Sequence, residues 1–116
     1  PQTHHLFNRE RISGMKKTAW LINVGRGPVV EEAALVEALR ERRIAGAMLD
    51  VYEHYRLEPG HPLLSLDNVV LTPHLSGMTV ESRARMGVAA AEEMLRMLRG
   101  EQPRNFVNPQ ARRVDA

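Results

Sequence analysis

Leu21-Ile22-Asn23-Val24-Gly25-Arg26-Gly27 decides how this chain folds. It closes a β-type apolar run, Thr18 to Asn23, that stops abruptly at a guanidinium set between two glycines. An apolar run without alternation is expected of a strand covered on both faces. Gly25 and Gly27 allow a tight turn, and Pro28 suits the approach to a helix. That helix is expected over about 31–42. Glu31 and Glu32 stand at its positive end and Arg40, Arg42 and Arg43 at its negative end, matching the macrodipole. Ala34, Leu35, Ala38 and Leu39 share one face. A second strand, Ala45-Gly46-Ala47-Met48-Leu49-Asp50-Val51, follows at once. Strand, helix and strand at this spacing form a βαβ unit, hence parallel and right-handed.

Working outward, Asn8 can cap a short helix running through Met15, with Gly14 near its end. Residues 53–67 form a loop without periodicity, punctuated by Pro59, Gly60 and Pro62. Loops of that length in compact domains are usually functional. Asn68 to Thr72 reads as a third buried strand. A long helix is expected over about 79–99, with Val80, Ala84, Gly87, Val88, Ala91, Met94, Leu95 and Leu98 as its inner stripe and Gly100 ending it. The tail, with Pro103, Asn105, Asn108 and Pro109, reads as extended. The class is α/β, but three strands are too few for an independent doubly wound sheet, which has about five or six. The rest must come from elsewhere. Half a sheet leaves a strand edge and an apolar face uncovered, so the chain is expected to associate, as a homodimer.

With 116 residues the chain holds at most one domain. Apolar residues make up 43% of it, but one Trp, two Tyr and two Phe leave Leu, Val, Ala and Met to fill the core. Net charge is +2, with arginines spread among glutamates along the helices. That is the pattern of solvated faces and argues against nucleic acid as a partner. The absence of cysteine excludes a disulfide framework and thiolate metal sites and fits a reducing compartment, the cytoplasm. No apolar run approaches the ~18 residues a membrane span needs, and no signal peptide is visible. Because the chain opens in mid-pattern at Pro1, it is expected to be part of something longer.

All three strands carry polar chemistry at their carboxyl ends: Asn23 to Gly27, Asp50 to Glu53, and Thr72 to Gly77. In open α/β sheets that is where ligands bind. An arginine there can grip a planar carboxylate with two parallel hydrogen bonds, and a histidine can exchange a proton near neutral pH. Arg26, Asp50 and His74 therefore suggest a site for a small acid. Taken singly, each has a plainer reading. Gly25-Arg26-Gly27 could be an ordinary strand-to-helix turn, since Val30 stands where a dinucleotide fingerprint needs a third glycine and no phosphate-loop lysine follows. His74 could be structural, and Asp50 could cap local amides. His4, His5, His54 and His61 lack metal-ligand spacing, so no metal is expected. Met86, Met94 and Met97 read as core packing. Together, at successive strand ends, the three point to a site.

At this point the residues resemble a known family. Leu21 to Val30, then Ala47-Met48-Leu49-Asp50-Val51-Tyr52-Glu53, then His61-Pro62-Leu63-Leu64, then Asn68 to Gly77 are similar, in order and spacing, to the NAD(P)-dependent D-2-hydroxyacid dehydrogenases. That family includes glyoxylate/hydroxypyruvate reductases, phosphoglycerate dehydrogenases and formate dehydrogenase. The resemblance implies the second half of a Rossmann-like nucleotide-binding domain over 1–100 and a tail, 101–116, returning toward a substrate domain. It implies hydride transfer between NAD or NADP and a small 2-oxo or 2-hydroxy acid. Arg26 would bind the substrate carboxylate and polarise its carbonyl, and His74 would be the general acid/base. Val24, Gly25 and Arg26 would line the nicotinamide pocket, with Asp50 and His74 beside it. Ser76 and Gly77 would lie near the carboxamide, and Thr3 in a segment passing under the ribose.

Two departures stand out. The family's glycine-rich phosphate loop, and the residue that selects NAD or NADP, have no counterpart in these 116 residues. The family also places a Glu five residues beyond the Asp, usually followed by Pro, to hold and charge the histidine. Here those positions are Tyr55 and Arg56, with Glu53 and Glu58 flanking but out of register. A competing expectation is therefore a non-catalytic remnant or interaction module that has lost cofactor binding.

Overall fold

A computed structural model describes residues 2–105, 107 and 108. It forms two compact units, Pro1–Gly77 and Met78–Ala116. The first contains helix α1 (Arg9–Ser13), strand β1 (Trp20–Asn23), helix α2 (Glu32–Arg40) and strands β2 (Gly46–Leu49) and β3 (Val69–Leu71). The second contains helix α3 (Val80–Leu98). Every expected element is present, trimmed by one or two residues at its ends. Single 3₁₀ turns are added at Gly27–Val29 and Pro62–Ser65.

The local signals act as their chemistry requires. Asn8 caps α1 by accepting from the Arg11 amide at 3.0 Å, and Thr79 caps α3 by accepting from Ser82 at 3.0 Å. Pro62 opens the second 3₁₀ turn, where His61 Nδ1 accepts from the Leu63 amide at 3.3 Å. This structured turn lies inside the stretch expected to be irregular loop.

The sheet is parallel in the order β1-β2-β3. Its register sorts side chains into two faces. Leu21, Ala47 and Val69 form one cross-strand row and Ile22, Met48 and Val70 the next. The first row faces α2, whose Leu35, Ala38 and Leu39 are fully buried together with Leu63. Each buried Leu contributes about 1.5–3 kcal/mol of transfer free energy.

The second row is exposed, Ile22 at 62%. This corrects the expectation of strands covered on both faces: within this unit only one face has a cover. The expected inner stripe of α3 is corrected likewise, because Val80, Val88, Met94 and Leu98 are exposed and the helix buries no residue. The start of the tail folds back on α3 instead of extending: the Arg96 guanidinium donates to the Gln102 carbonyl at 3.0 Å, and the Arg104 amide to Glu93 at 2.8 Å. Pro109 lies outside the described residues. Among the described residues no helix is long and apolar enough to cross a membrane.

The tightest joint of the first unit is Gly27. A Cβ built there would lie 1.6 Å from the Tyr52 carbonyl oxygen, so only glycine lets the turn after β1 pack on the segment after β2. Gly27→Ala is expected to cost about 1–3 kcal/mol through overpacking. Leu35→Ala should cost about 2–5 kcal/mol by opening a cavity. Urea unfolding followed by circular dichroism measures both, and an unchanged midpoint for Gly27→Ala would contradict the close approach.

Candidate active site

Three strand ends build the site. At the end of β1, buried Asn23 staples the glycine turn: its Oδ1 accepts from the Gly25 amide at 3.1 Å and its Nδ2 donates to the Arg26 carbonyl at 3.0 Å. Arg26 leaves this turn with extended backbone and an exposed side chain that donates to the Gly25 carbonyl at 2.8 Å. No carboxylate among the described residues pairs with it. Its remaining donors stay open to a planar anion.

At the end of β2, Asp50 is buried, with 2% of its surface exposed. Its Oδ1 accepts from the Thr72 hydroxyl at 2.5 Å and the Leu75 amide at 2.8 Å, and its Oδ2 accepts from the Ser76 amide at 2.9 Å. Hydrogen bonds from the side chains of Ser76 and Thr72, helped by the two amides and opposed by burial, hold its carboxyl far below the usual carboxylate range. Asp50 thus anchors the turn beyond β3 from both sides of His74. His74 adopts the left-handed conformation, φ 59°, which a non-glycine residue keeps only when its surroundings hold it there. Its imidazole is exposed.

Tyr52 ties the second and third strand ends together, its hydroxyl donating to the Thr72 carbonyl at 2.7 Å. Burial, then the nearby Asp50 charge, raise the phenol above its ordinary range. Glu53 turns to other partners: its carboxylate meets His5 Nε2 at 2.8 Å and accepts from the Glu32 amide at 3.3 Å. Burial pushes its carboxyl up, but the His5 hydrogen bond and the Glu32 amide outweigh that, and the net direction is down. Glu32 Oε1 in turn lies 3.1 Å from His61 Nε2. Residues 48 positions apart make the His5–Glu53 pair, so sequence spacing could not reveal it. His4 joins them, with one donor atom each from His4, His5 and Glu53 within 4.8 Å of one another.

Arg26, Asp50 and His74 line one open cleft of about 720 Å³. Tyr55 and Arg56, singled out above as departures, line it too. Val24 and Gly25 instead line a neighbouring groove along β1 with Phe7 and Trp20. Ser76 joins the site through Asp50, and Gly77 has open space where a Cβ would be. Thr3 is exposed, in the turn that precedes Leu6. Glu58 is not among the residues lining the cleft. Missed by sequence reasoning were Asn23 and Thr72 as the staples of the two turns. Their only signal was a polar residue at the end of an apolar strand.

Comparison with known proteins places the fold in a family. Residues 1–76 match the model of the D-isomer specific 2-hydroxyacid dehydrogenase NAD-binding domain. A glyoxylate reductase of Thermofilum pendens is 52% identical over 113 residues, covering 97% of this chain and 33% of its own length. A D-isomer specific 2-hydroxyacid dehydrogenase of Xanthobacter autotrophicus, solved with NADPH, matches at TM-score 0.78 and 44% identity, over 95% of this chain and 45% of that one. An NADPH-dependent glyoxylate/hydroxypyruvate reductase of Sinorhizobium meliloti, solved with NADP and malonate, matches at TM-score 0.85 and 34% identity, over 99% of this chain and 36% of that one. The fold is that of a nucleotide-binding α/β domain. The chain belongs to the D-isomer specific 2-hydroxyacid dehydrogenase family, through its NAD-binding domain, and spans about a third of the curated relative's length.

Because the Asp50 carboxyl is held below its ordinary range in the fold, its contribution is fully present above the unfolded value of about 4 and is lost as pH falls below it. Asp50→Asn should lower the unfolding midpoint at pH 7, because the charge is lost and the new NH2 sets a donor against the Ser76 amide, or against the Leu75 amide and the Thr72 hydroxyl. The gap between variant and parent should narrow by about pH 2. A thermal melt series across this range checks both signs; parallel curves would show that Asp50 does not carry the charge that holds the turn.

Proposed function

We propose that this segment supplies the nicotinamide side of the active site in an oxidoreductase that reduces a small 2-oxo acid to the 2-hydroxy acid. The observation that carries the reading is a guanidinium without a carboxylate partner and an exposed imidazole on a turn anchored by Asp50, both on one cleft at the carboxyl ends of parallel strands. Arg26 binds the substrate carboxylate through paired N–H donors and orients the adjacent carbonyl. His74 gives its proton to the carbonyl oxygen during reduction and takes it back during oxidation. Asp50 keeps the His74 turn in place.

The residues present fit a nicotinamide cofactor. Val24 offers exposed apolar surface at the end of β1 for a flat ring, and Gly77 leaves room beyond β3. Val24, Gly25, Arg26, Asp50, His74, Ser76 and Gly77 would hold the nicotinamide end, with Thr3 near the ribose. When bound, NADH or NADPH supplies the hydride. Residues 1–100 would complete the cofactor domain and 101–116 would lead toward the substrate domain of a cytoplasmic homodimer. Glyoxylate and hydroxypyruvate, named for the relatives, are the first substrates to test.

In the natural polypeptide that carries these residues, Arg26→Ala should lower kcat/KM for glyoxylate at least about a hundredfold, chiefly through KM. His74→Ala should lower kcat about 10²–10⁴-fold. Stopped-flow oxidation of NADH and NADPH measures both, and retention of kcat within tenfold in His74→Ala removes the assigned acid.

Tyr55 favours a second reading, an interaction module without turnover. It stands where relatives' resemblance calls for a Glu, and Glu53 is committed to His5. If the enzyme works without that carboxylate, Tyr55→Glu should give the imidazolium an anionic neighbour and move the alkaline fall-off of reduction upward by about one pH unit. An unmoved pH–rate profile would show that position 55 does not face His74. If neither parent nor variant reduces any 2-oxo acid, the module reading stands.

A further inference from the structure

We infer that the cleft holds a second anion-binding position, made by Arg56 with the Tyr55 hydroxyl, so that it prefers a 2-oxo acid with another anionic group at its far end. The inference rests on the reading of Arg26 and His74 as the carboxylate and carbonyl ends of the site. Arg56 enters the cleft from the loop after β2, whereas Arg26 enters from the turn after β1. Among the described residues the Arg56 side chain has neither a hydrogen bond nor an ion pair, and it is exposed. Tyr55 beside it is 86% exposed, so its hydroxyl is available as a donor.

The cleft's own acids do not compete for these cations. Asp50 spends both oxygens on Thr72, Leu75 and Ser76, and Glu53 spends its pair on His5 and Glu32. A two-carbon oxo acid satisfies Arg26 alone. A cleft of about 720 Å³ leaves space for a longer acid alongside the cofactor ring. A distal carboxylate or phosphate would meet the Arg56 fork and the phenol in a charge-assisted contact.

Isothermal titration of the natural polypeptide, loaded with oxidised cofactor so that nothing turns over, tests this directly. Its ligands are glyoxylate, four- and five-carbon 2-oxo dicarboxylates, and a phosphorylated three-carbon 2-oxo acid. The dianions should bind about tenfold tighter than glyoxylate, the size of one charge-assisted pair. Arg56→Met should abolish that preference. Arg56→Lys should keep the charge but lose the fork and most of the preference, and it carries the test if Arg56→Met fails to fold. The tighter of the carboxylate and phosphate arms names the distal group. Equal affinities, or a preference that survives Arg56→Met, would overturn the second position. Selective dianion binding in a protein that reduces none of these acids would support it while overturning the dehydrogenase reading.

Discussion

One buried carboxylate holds the functional end of this sheet together. Asp50 directly follows the last residue of β2, where parallel pairing ends and the backbone groups of the next turn have no ladder partners. It takes in two of those amides and the Thr72 hydroxyl. Removing an ion of this kind from water is costly unless its lone pairs are satisfied, and here three donors satisfy it. In exchange, the chain between Thr72 and Ser76 has one shape, and His74 is held in a conformation that its own backbone disfavours. Position and charge at the site follow from that anchor.

A second constraint is steric. Gly27 and Tyr52 meet without room for a methyl group, so the turn bearing Arg26 packs directly on the start of the segment after β2. Tyr52 carries the joint on to Thr72, which is already bound to Asp50. The turns that bear Arg26 and His74 are therefore linked by short-range contacts through Tyr52, Thr72 and Asp50. A preorganised pair of groups loses little freedom when a ligand arrives.

Much of this was legible in the residues. The βαβ unit could be read because its strands are unbroken apolar runs, its helix has a charge gradient, and its turns carry glycine and proline where the backbone needs them. Arg26, Asp50 and His74 could be singled out because polar residues ending apolar strands all fall on one edge of a parallel sheet. Hidden were contacts set by distance in sequence: Glu53 with His5, Glu32 with His61, Asp50 with the Ser76 amide. Coverage was misread for a different reason. Ile22, Met48 and Val70 read as buried because they are apolar, but composition cannot say whether residues 2–77 cover them, and they do not. The stripe on α3 misleads in the same way, since amphipathicity specifies a buried face and not its partner.

Charges in the cleft divide into two kinds, and that division separates scaffold from ligand contacts. Asp50 and Glu53 have spent their lone pairs on the protein and act on the outside only through a screened field. Arg26 and Arg56 have spent one donor between them, on the Gly25 carbonyl. A guanidinium without an internal partner gains most from a planar anion that arrives with its own geometry, whereas a satisfied carboxylate gains nothing from a cation. The cleft is formally near neutral, yet among the described residues its acids are bound within the protein while neither guanidinium pairs with a carboxylate. Under the proposed reading such a surface favours oxyanions, whose oxygens each accept from an N–H or O–H and whose charge the guanidiniums complement.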